Sequence, residues 1–370
     1  MKKICFFNSS NFWGGGEKLH LENSKAFRNK GYDVTIAAHQ DSELWTRAQA
    51  EGFKTFAVQV GSTSFLNVFK LLRIKSYFQK EGIDTVIFTT SQDLKTASIA
   101  AHWTGCQKIV YLRGLAIPIK NSIVNRYCMN TACTHLIANS LETKRTMLQH
   151  LGKHIPSDKI GVVYHGIDEK LLEADGPHLP QVIKRAKENR LILGNAGRLT
   201  EQKGQKHLIE VAKILKAQNQ SFTLFIAGTG ELESELKGLI QEYNLEKEVI
   251  LLGFVADMEA FMRSIDVFLL ASSWEGFGFV IVEAMAKGKP VVAFDITSNP
   301  EIISDGKTGL LAQHLNIADF ATKIAQLITD GNLRTQMGTA AKQSVVDRFQ
   351  ITERITELEE YLLSGITPRH

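Results

Sequence analysis

Short apolar runs alternate with longer amphipathic segments along nearly the whole chain, and this rhythm breaks only once. Lys3–Asn8, Val34–Ala38, Thr55–Val60, Thr85–Thr89, Lys108–Leu112, His135–Ala138 and Ile160–Val163 are rich in Ile, Val and Phe and bounded by Gly, Asp or Asn, the pattern of buried strands. Helix-length segments such as Glu17–Lys30 and Gln92–Thr104 lie between them. Repeated strand–helix alternation implies right-handed crossovers and a parallel sheet covered on both faces. After Gly166 the rhythm stops, and Glu173–Pro180 (EADGPHLP) collects turn formers and two prolines. Alternation then restarts, with Leu191–Ala196, Thr223–Ala227, Val249–Leu252, Val267–Leu270 and Pro290–Phe294 as strands and a helical stretch over Ile317–Leu363. The expected class is α/β: two Rossmann-like, doubly wound domains, residues 1–172 and 191–347, joined by a linker at 173–190. A cleft between them is the expected ligand site.

Composition narrows the function classes. The chain has 370 residues, more than one core organises, with 44% hydrophobic and 22% charged residues, ordinary for a globular protein. No run reaches the roughly 20 apolar residues of a membrane span. Ile4–Phe7 is cut short by Asn8, Ser9 and Ser10, too soon for a secretory leader. A soluble, cytoplasmic protein is therefore expected. Cys5, Cys106, Cys128 and Cys133 form no CxxC pair and read as buried or half-buried thiols of a reducing compartment.

Charge is uneven: Lys and Arg outnumber Asp and Glu by 22 to 14 up to Glu173, and are outnumbered 21 to 25 thereafter. The basic first half either meets an anionic acceptor or the inner face of a membrane, as a peripheral contact, or simply carries solvated charge. One segment poses the same choice. Phe65–Phe78 interleaves Phe65, Leu66, Phe69, Leu72 and Phe78 with Lys70, Arg73 and Lys75, either a helix packed on the sheet or a basic helix lying on an anionic surface. Nucleic acid is not an expected partner, because the net charge of +4 is slight and no basic stripe carries interleaved aromatics.

Three glycine-rich places carry the chemistry. Gly14-Gly15-Gly16 follows the first strand and opens the first helix, where backbone N–H groups can approach a phosphate or sugar. A tight strand-to-helix turn would use the same residues, and Leu19 in place of a third glycine breaks the dinucleotide fingerprint. Gly194–Gly204 (GNAGRLTEQKG) ends the first strand of the second domain, and its Arg198 and Lys203 suit a diphosphate, one as a fork and one as a point charge. Ser272–Val292 holds Glu275-Gly276-Phe277-Gly278 before a helix beginning near Phe279, an anion or sugar-hydroxyl cradle with Glu275 as acceptor. Glu283 follows about 7.5 Å along that helix among apolar neighbours, where a carboxylate needs donors such as ribose hydroxyls, or else faces water.

These residues carry a resemblance. EGFGFVIVE with Glu275 and Glu283, GNAGRLTEQKG and Tyr164–Asp168 (YHGID) resemble the retaining glycosyltransferases of family 4, glycosyl transferases group 1, over nearly the whole chain. The resemblance implies the GT-B architecture, with a closing helix in 348–370 packing back on the first domain. It implies that Arg198 and Lys203 hold the donor diphosphate, with Gly197 beside them, and that Glu283 binds the ribose. Glu275, Gly276, Phe277 and Gly278 would touch the sugar, and the base would lie near Gly253-Phe254-Val255. Gly15 and Gly16 would approach phosphate and acceptor.

Two positions depart from the family pattern. Arg113 stands where many relatives have a histidine, and arginine cannot act as a base but can supply charge to a phosphate or anionic sugar. Ser298-Asn299 replaces the frequent Gly-Gly before Pro300-Glu301. The implied activity is hexosyl transfer, with anomeric retention, from a nucleoside-diphosphate sugar to a glycan or glycolipid acceptor in cell-surface polysaccharide synthesis. No DxD triplet occurs, so neither a metal nor another cofactor is expected. A nucleotide-sugar epimerase of the same fold, or a bilobal sugar-binding protein, is the alternative.

Overall fold

The computed structural model describes residues 2–173, 176–179 and 190–364. Most of the expected linker 173–190 (174, 175 and 180–189) and the end of the closing segment (365–370) lie outside the described residues. The chain divides into two compact units, one running to Gly166 and resuming from Ile351, the other spanning Ile167–Gln350.

The first unit is a seven-stranded parallel sheet: β1 (Lys3–Asn8), β2 (Asp33–Ala38), β3 (Lys54–Ala57), β4 (Thr85–Phe88), β5 (Lys108–Arg113), β6 (His135–Ala138) and β7 (Ile160–Val162), ordered β3-β2-β1-β4-β5-β6-β7. Successive side chains of a strand point to opposite faces, and β1 shows the consequence. Cys5 and Phe7 enter one core with Leu71, Ile74 and Phe78, while Ile4 and Phe6 enter another with Leu21 and Phe27. Burying one such phenylalanine contributes about 2–3 kcal/mol. The last helix, Ile351–Ser364, closes the second core with Ile355, Leu358, Tyr361 and Leu362 and packs on the helix Gly15–Asn29. The Tyr361 hydroxyl donates to the Leu136 carbonyl at 3.3 Å.

The second unit is a six-stranded parallel sheet: β8 (Leu191–Ala196), β9 (Phe222–Ala227), β10 (Val249–Gly253), β11 (Val267–Leu270), β12 (Val291–Phe294) and β13 (Gly309–Ala312), ordered β10-β9-β8-β11-β12-β13. The edge strand β13 has no counterpart among the five expected strands. It is only four residues long and opens on a glycine. That glycine serves close approach, since a β-carbon at Gly309 would sit 2.4 Å from the Val291 carbonyl oxygen.

The segment expected as a helix over Phe65–Phe78 is a turn at Ser64–Leu66 followed by a helix Val68–Glu81. Asn67 sets this start, its side chain accepting from the Lys70 N–H at 3.1 Å, and Gly82 ends the helix in the left-handed region. Leu71, Ile74 and Phe78 are buried, whereas Leu66, Phe69 and Leu72 are exposed. All four cysteines are buried free thiols. No helix among the described residues is long and apolar enough to cross a membrane.

Candidate functional site

In a parallel sheet wound in both directions, the crevice forms where strand order reverses, outside the carboxyl ends of the two central strands. In the second unit that point lies between β8 and β11. The loops leaving these strands, 197–204 and 271–278, are the two glycine-rich segments singled out from sequence, and they are stitched together. Gln202 Nε2 donates to the Trp274 carbonyl at 3.1 Å and the Ser273 N–H donates to the Gln202 carbonyl at 2.8 Å. Gly204 (φ +63°) makes that proximity available, since a β-carbon there would stand 2.1 Å from the Ala271 carbonyl oxygen.

The same point joins Lys203 to Glu275. Lys203 Nζ lies 2.6 Å from Glu275 Oε1, with side-chain exposures of 19% and 8%. The Ser272 hydroxyl donates to the same oxygen at 2.6 Å. Oε2 has no hydrogen-bond partner among the described residues, which leaves Glu275 one oriented acceptor and Lys203 two of its three protons. The Lys203 stem passes over Gly197, where a β-carbon would meet it at 3.6 Å. Behind Glu275, its N–H donates to Thr297 Oγ1 at 3.1 Å and its carbonyl accepts from the Ser298 hydroxyl at 3.4 Å. Thr297 holds φ +45°, a strained setting for a β-branched residue that persists only when its surroundings enforce it.

The remaining candidates are arranged around this pair. Arg198 is exposed on the β8 loop, its carbonyl accepting from Gln205 Nε2 at 3.0 Å. Gly276, Phe277 and Gly278 are buried, and Gly278 (φ +68°) caps the helix Phe279–Ala286 without a side-chain hydrogen bond. Glu283 is half-buried on that helix between the buried Val282 and Ala284. Val255 is half-buried beyond the carboxyl end of β10, next to the exposed Phe254. Ser298 and Asn299, in place of the family's glycines, are fully buried. Ser298 braces the Glu275 loop and Asn299 Nδ2 donates to the Phe294 carbonyl at 2.9 Å.

In the first unit, strand order reverses between β1 and β4. Gly15 and Gly16 are exposed at the start of the helix that follows β1. Across the reversal, the buried Asp93 accepts from the Ser9 hydroxyl at 2.5 Å and the Ser9 N–H at 3.2 Å. Burial pushes the Asp93 carboxyl up to about 6, although the Ser9 and Thr90 hydroxyls favour its charged form. A raised folded pKa means that the folded state holds the proton more tightly than the unfolded chain. The resulting stabilisation is complete below about pH 4 and is lost as pH rises through about 6. Asp93→Asn is expected to remove about 3 kcal/mol of the decline in stability between pH 4 and 8. Urea unfolding across that range checks the slope, and an unchanged slope refutes the assignment. The slope is the readout because asparagine also sets an amide against the Ser9 N–H.

Arg113 ends β5 next to this cluster and is 3% exposed. Nη1 donates to Ser91 Oγ at 3.1 Å and Tyr111 Oη at 2.6 Å, and Nη2 to the Ile117 carbonyl at 2.7 Å. Nε is buried without an acceptor, and Arg113 has no carboxylate partner among the described residues. A buried cation lacking a counter-ion is costly. With both Nη1 protons engaged, Nε and one proton of Nη2 have no partner among the described residues.

Ser272, Thr297, Ser9 and Asp93 were not among the residues sequence reasoning selected. Each is a small or acidic polar residue whose role depends on a partner distant in the chain, so no local pattern marks it. Only Ser272 had a local cue, standing two residues before Trp274-Glu275.

Comparison with known proteins matches the sequence to a family. Residues 13–171 match the model for Glycosyltransferase Family 4 and residues 181–344 match that for Glycosyl transferases group 1. The chain is 32% identical over 167 residues to the poly(ribitol-phosphate) alpha-N-acetylglucosaminyltransferase of Staphylococcus aureus, covering 45% of this chain and 34% of that protein. It is 26% identical to the UDP-Gal:alpha-D-GlcNAc-diphosphoundecaprenol alpha-1,3-galactosyltransferase of Escherichia coli, over 98% of this chain and 97% of that one. The crystal structure of Anabaena HepE in complex with UDP and glucose shares the fold, with a TM-score of 0.81 at 23% identity over 98% of this chain and 100% of that one. Together the two family models span both units, and the chain belongs to the group 1, family 4 glycosyltransferases.

Proposed function

We propose that this glycosyltransferase moves a hexosyl group, with retention and without a metal, from a nucleoside-diphosphate sugar to a hydroxyl of an anionic glycan or glycolipid acceptor. The observation that carries the reading is the Lys203–Glu275 pair at the β8/β11 reversal, with Arg198 on the same loop. Departure of a diphosphate accumulates negative charge as the glycosidic bond lengthens. Lys203 and Arg198 would stabilise that charge more in the transition state than in the ground state, the work otherwise given to a metal.

Glu275 serves in positioning and not as the base, since its Oε1 is already engaged by Lys203 and Ser272. Its Oε2 would orient a sugar hydroxyl instead, with Gly276, Phe277 and Gly278 beside it, and Glu283 would hold the ribose. The acceptor oxygen then bonds to the anomeric carbon, the bond from that carbon to the phosphate oxygen breaks, and the departing phosphate takes the acceptor proton. Alpha linkages appear in both curated relatives' names, and transfer from an α-linked sugar nucleotide to an alpha product is retention.

Arg113 supports the anionic acceptor. Its open donors suit a phosphate, and phosphate groups appear in the acceptors named for both relatives, a poly(ribitol-phosphate) and a diphosphoundecaprenol.

Thermal melting tests the donor site. UDP, or another nucleoside diphosphate, is expected to raise the melting temperature where the monophosphate does not. Arg198→Ala should lose that shift without altering the ligand-free melt, since Arg198 is exposed; a shift that survives overturns the phosphate assignment. Release of nucleoside diphosphate only when acceptor is present marks transfer. In the same assay Arg113→Gln should raise KM about tenfold for a phosphate-bearing acceptor and leave the donor shift intact.

A further inference from the structure

Carboxylates are distributed unevenly along the first unit. Residues 52–80 contain no Asp or Glu, nor do residues 94–141, yet the two stretches hold Lys54, Lys70, Arg73, Lys75 and Lys80 in the first, and Lys95, Lys108, Arg113, Lys120 and Arg126 in the second. The same two stretches carry ten of the fourteen exposed large apolar side chains among the described residues.

Three neighbouring helices carry six of these cations, Lys70, Arg73, Lys75, Lys80, Lys95 and Arg126. The helices Val68–Glu81, Ser91–Thr104 and Ile123–Tyr127 pack in that order, and Lys95 Nζ of the second lies 5.4 Å from the ring centre of Phe65, in the turn before the first. His102 of the second meets Tyr127 of the third with ring centres 6.3 Å apart. On the first helix the inward face is filled by Leu71, Ile74 and Phe78, so the apolar residues on its other side are surplus to the core. Phe69 is 85% exposed and Leu66 69% exposed, with Leu72 beside them. Trp103, Ile123 and Tyr127 continue the exposed apolar surface on the neighbouring helices.

We infer that this face of the first unit docks on an anionic lipid bilayer. Charge complementarity selects that occupant. Six cations on three helices whose only carboxylates are Glu81, paired with Lys54, and the buried Asp93 match acidic headgroups, and protruding Phe, Leu and Ile side chains with flanking Trp and Tyr enter the headgroup–acyl boundary. A second copy of this chain is a poor partner, because pairing the face with itself would set cations against cations. Docking of this kind needs no spanning helix, and it is independent of the donor reading above.

Vesicle sedimentation with the full chain tests it, using equal parts phosphatidylglycerol and phosphatidylcholine against phosphatidylcholine alone. Wild-type protein is expected to sediment with the anionic vesicles, at least tenfold more weakly with the neutral ones, and to be released by salt. Arg73→Gln with Lys75→Gln should weaken binding about 25-fold, from roughly one kcal/mol per cation near the surface. Phe69→Ser with Leu72→Ser should weaken it tenfold or more at an unchanged urea midpoint, since both side chains are exposed. Failure of the wild type to sediment with anionic vesicles overturns the inference, as does undiminished binding by the serine variant. Self-association that depends on Phe69 in the absence of lipid would assign the face to a second copy instead.

Discussion

Lys203→Ala should reduce glycosyl transfer by two to three orders of magnitude and destabilise the second unit by about 3 kcal/mol. Both effects come from one contact. The Lys203 ammonium lies 2.6 Å from Glu275 Oε1 in a setting where neither side chain is more than a fifth exposed. Removing the cation strands a carboxylate that is only 6% exposed overall. The rate loss arises separately, from the two ammonium protons that would otherwise face the departing phosphate.

A double-mutant cycle separates the two effects. Lys203→Ala combined with Glu275→Ala should recover much of the stability, because no unpaired charge remains, while activity stays low. Urea unfolding and steady-state transfer rates provide the two readouts. An unaltered rate in Lys203→Ala would remove lysine from the reaction. An additive stability cycle would show that the pair does not act as a unit.

Gly204→Ala should have a comparable effect for a steric reason. The new β-carbon would fall 2.1 Å from the Ala271 carbonyl oxygen, and backbone cannot swing aside as a side-chain tip does. Gly204 also holds φ +63°, where alanine is strained even with space available. A loss of about 3–5 kcal/mol is expected, and the nucleoside-diphosphate melting shift should vanish because the β8 and β11 loops separate. Gly238→Ala is the control. That glycine sits in the helix Glu233–Glu242 with nothing within 4 Å of its added β-carbon, so it should be neutral or stabilising by up to about 1 kcal/mol. Equal melts for the two variants would show that the loops tolerate separation.

Much of the fold could be read from local pattern because the sheets are parallel and covered on both faces. Such strands are continuous apolar runs, and β1, β6, β8 and β11 begin and end where the pattern predicts. The helix start at Phe279 follows the same logic, set by a glycine whose conformation other residues avoid. β13 escaped because four residues opening on glycine give too weak a signal. The helix following Asn67 began three residues later than its apolar pattern suggested, since a capping side chain, not hydrophobicity, marks its first turn.

The sequence by itself determined the two doubly wound sheets, the glycine-rich loops at their carboxyl ends and the cations and carboxylates those loops carry. Tertiary structure alone decided which of them meet. Strand order seats β8 against β11 and so brings Lys203 to Glu275, 72 residues away, as it brings Ser9 to Asp93 across 84. It also left Arg113 buried with no carboxylate partner among the described residues, and Phe69 in solvent with its helix neighbours inside. The physical reason is range. Periodicity along a chain encodes which side of a helix or strand is buried, but partners are chosen by the order in which strands pair, and no short window of residues records that order.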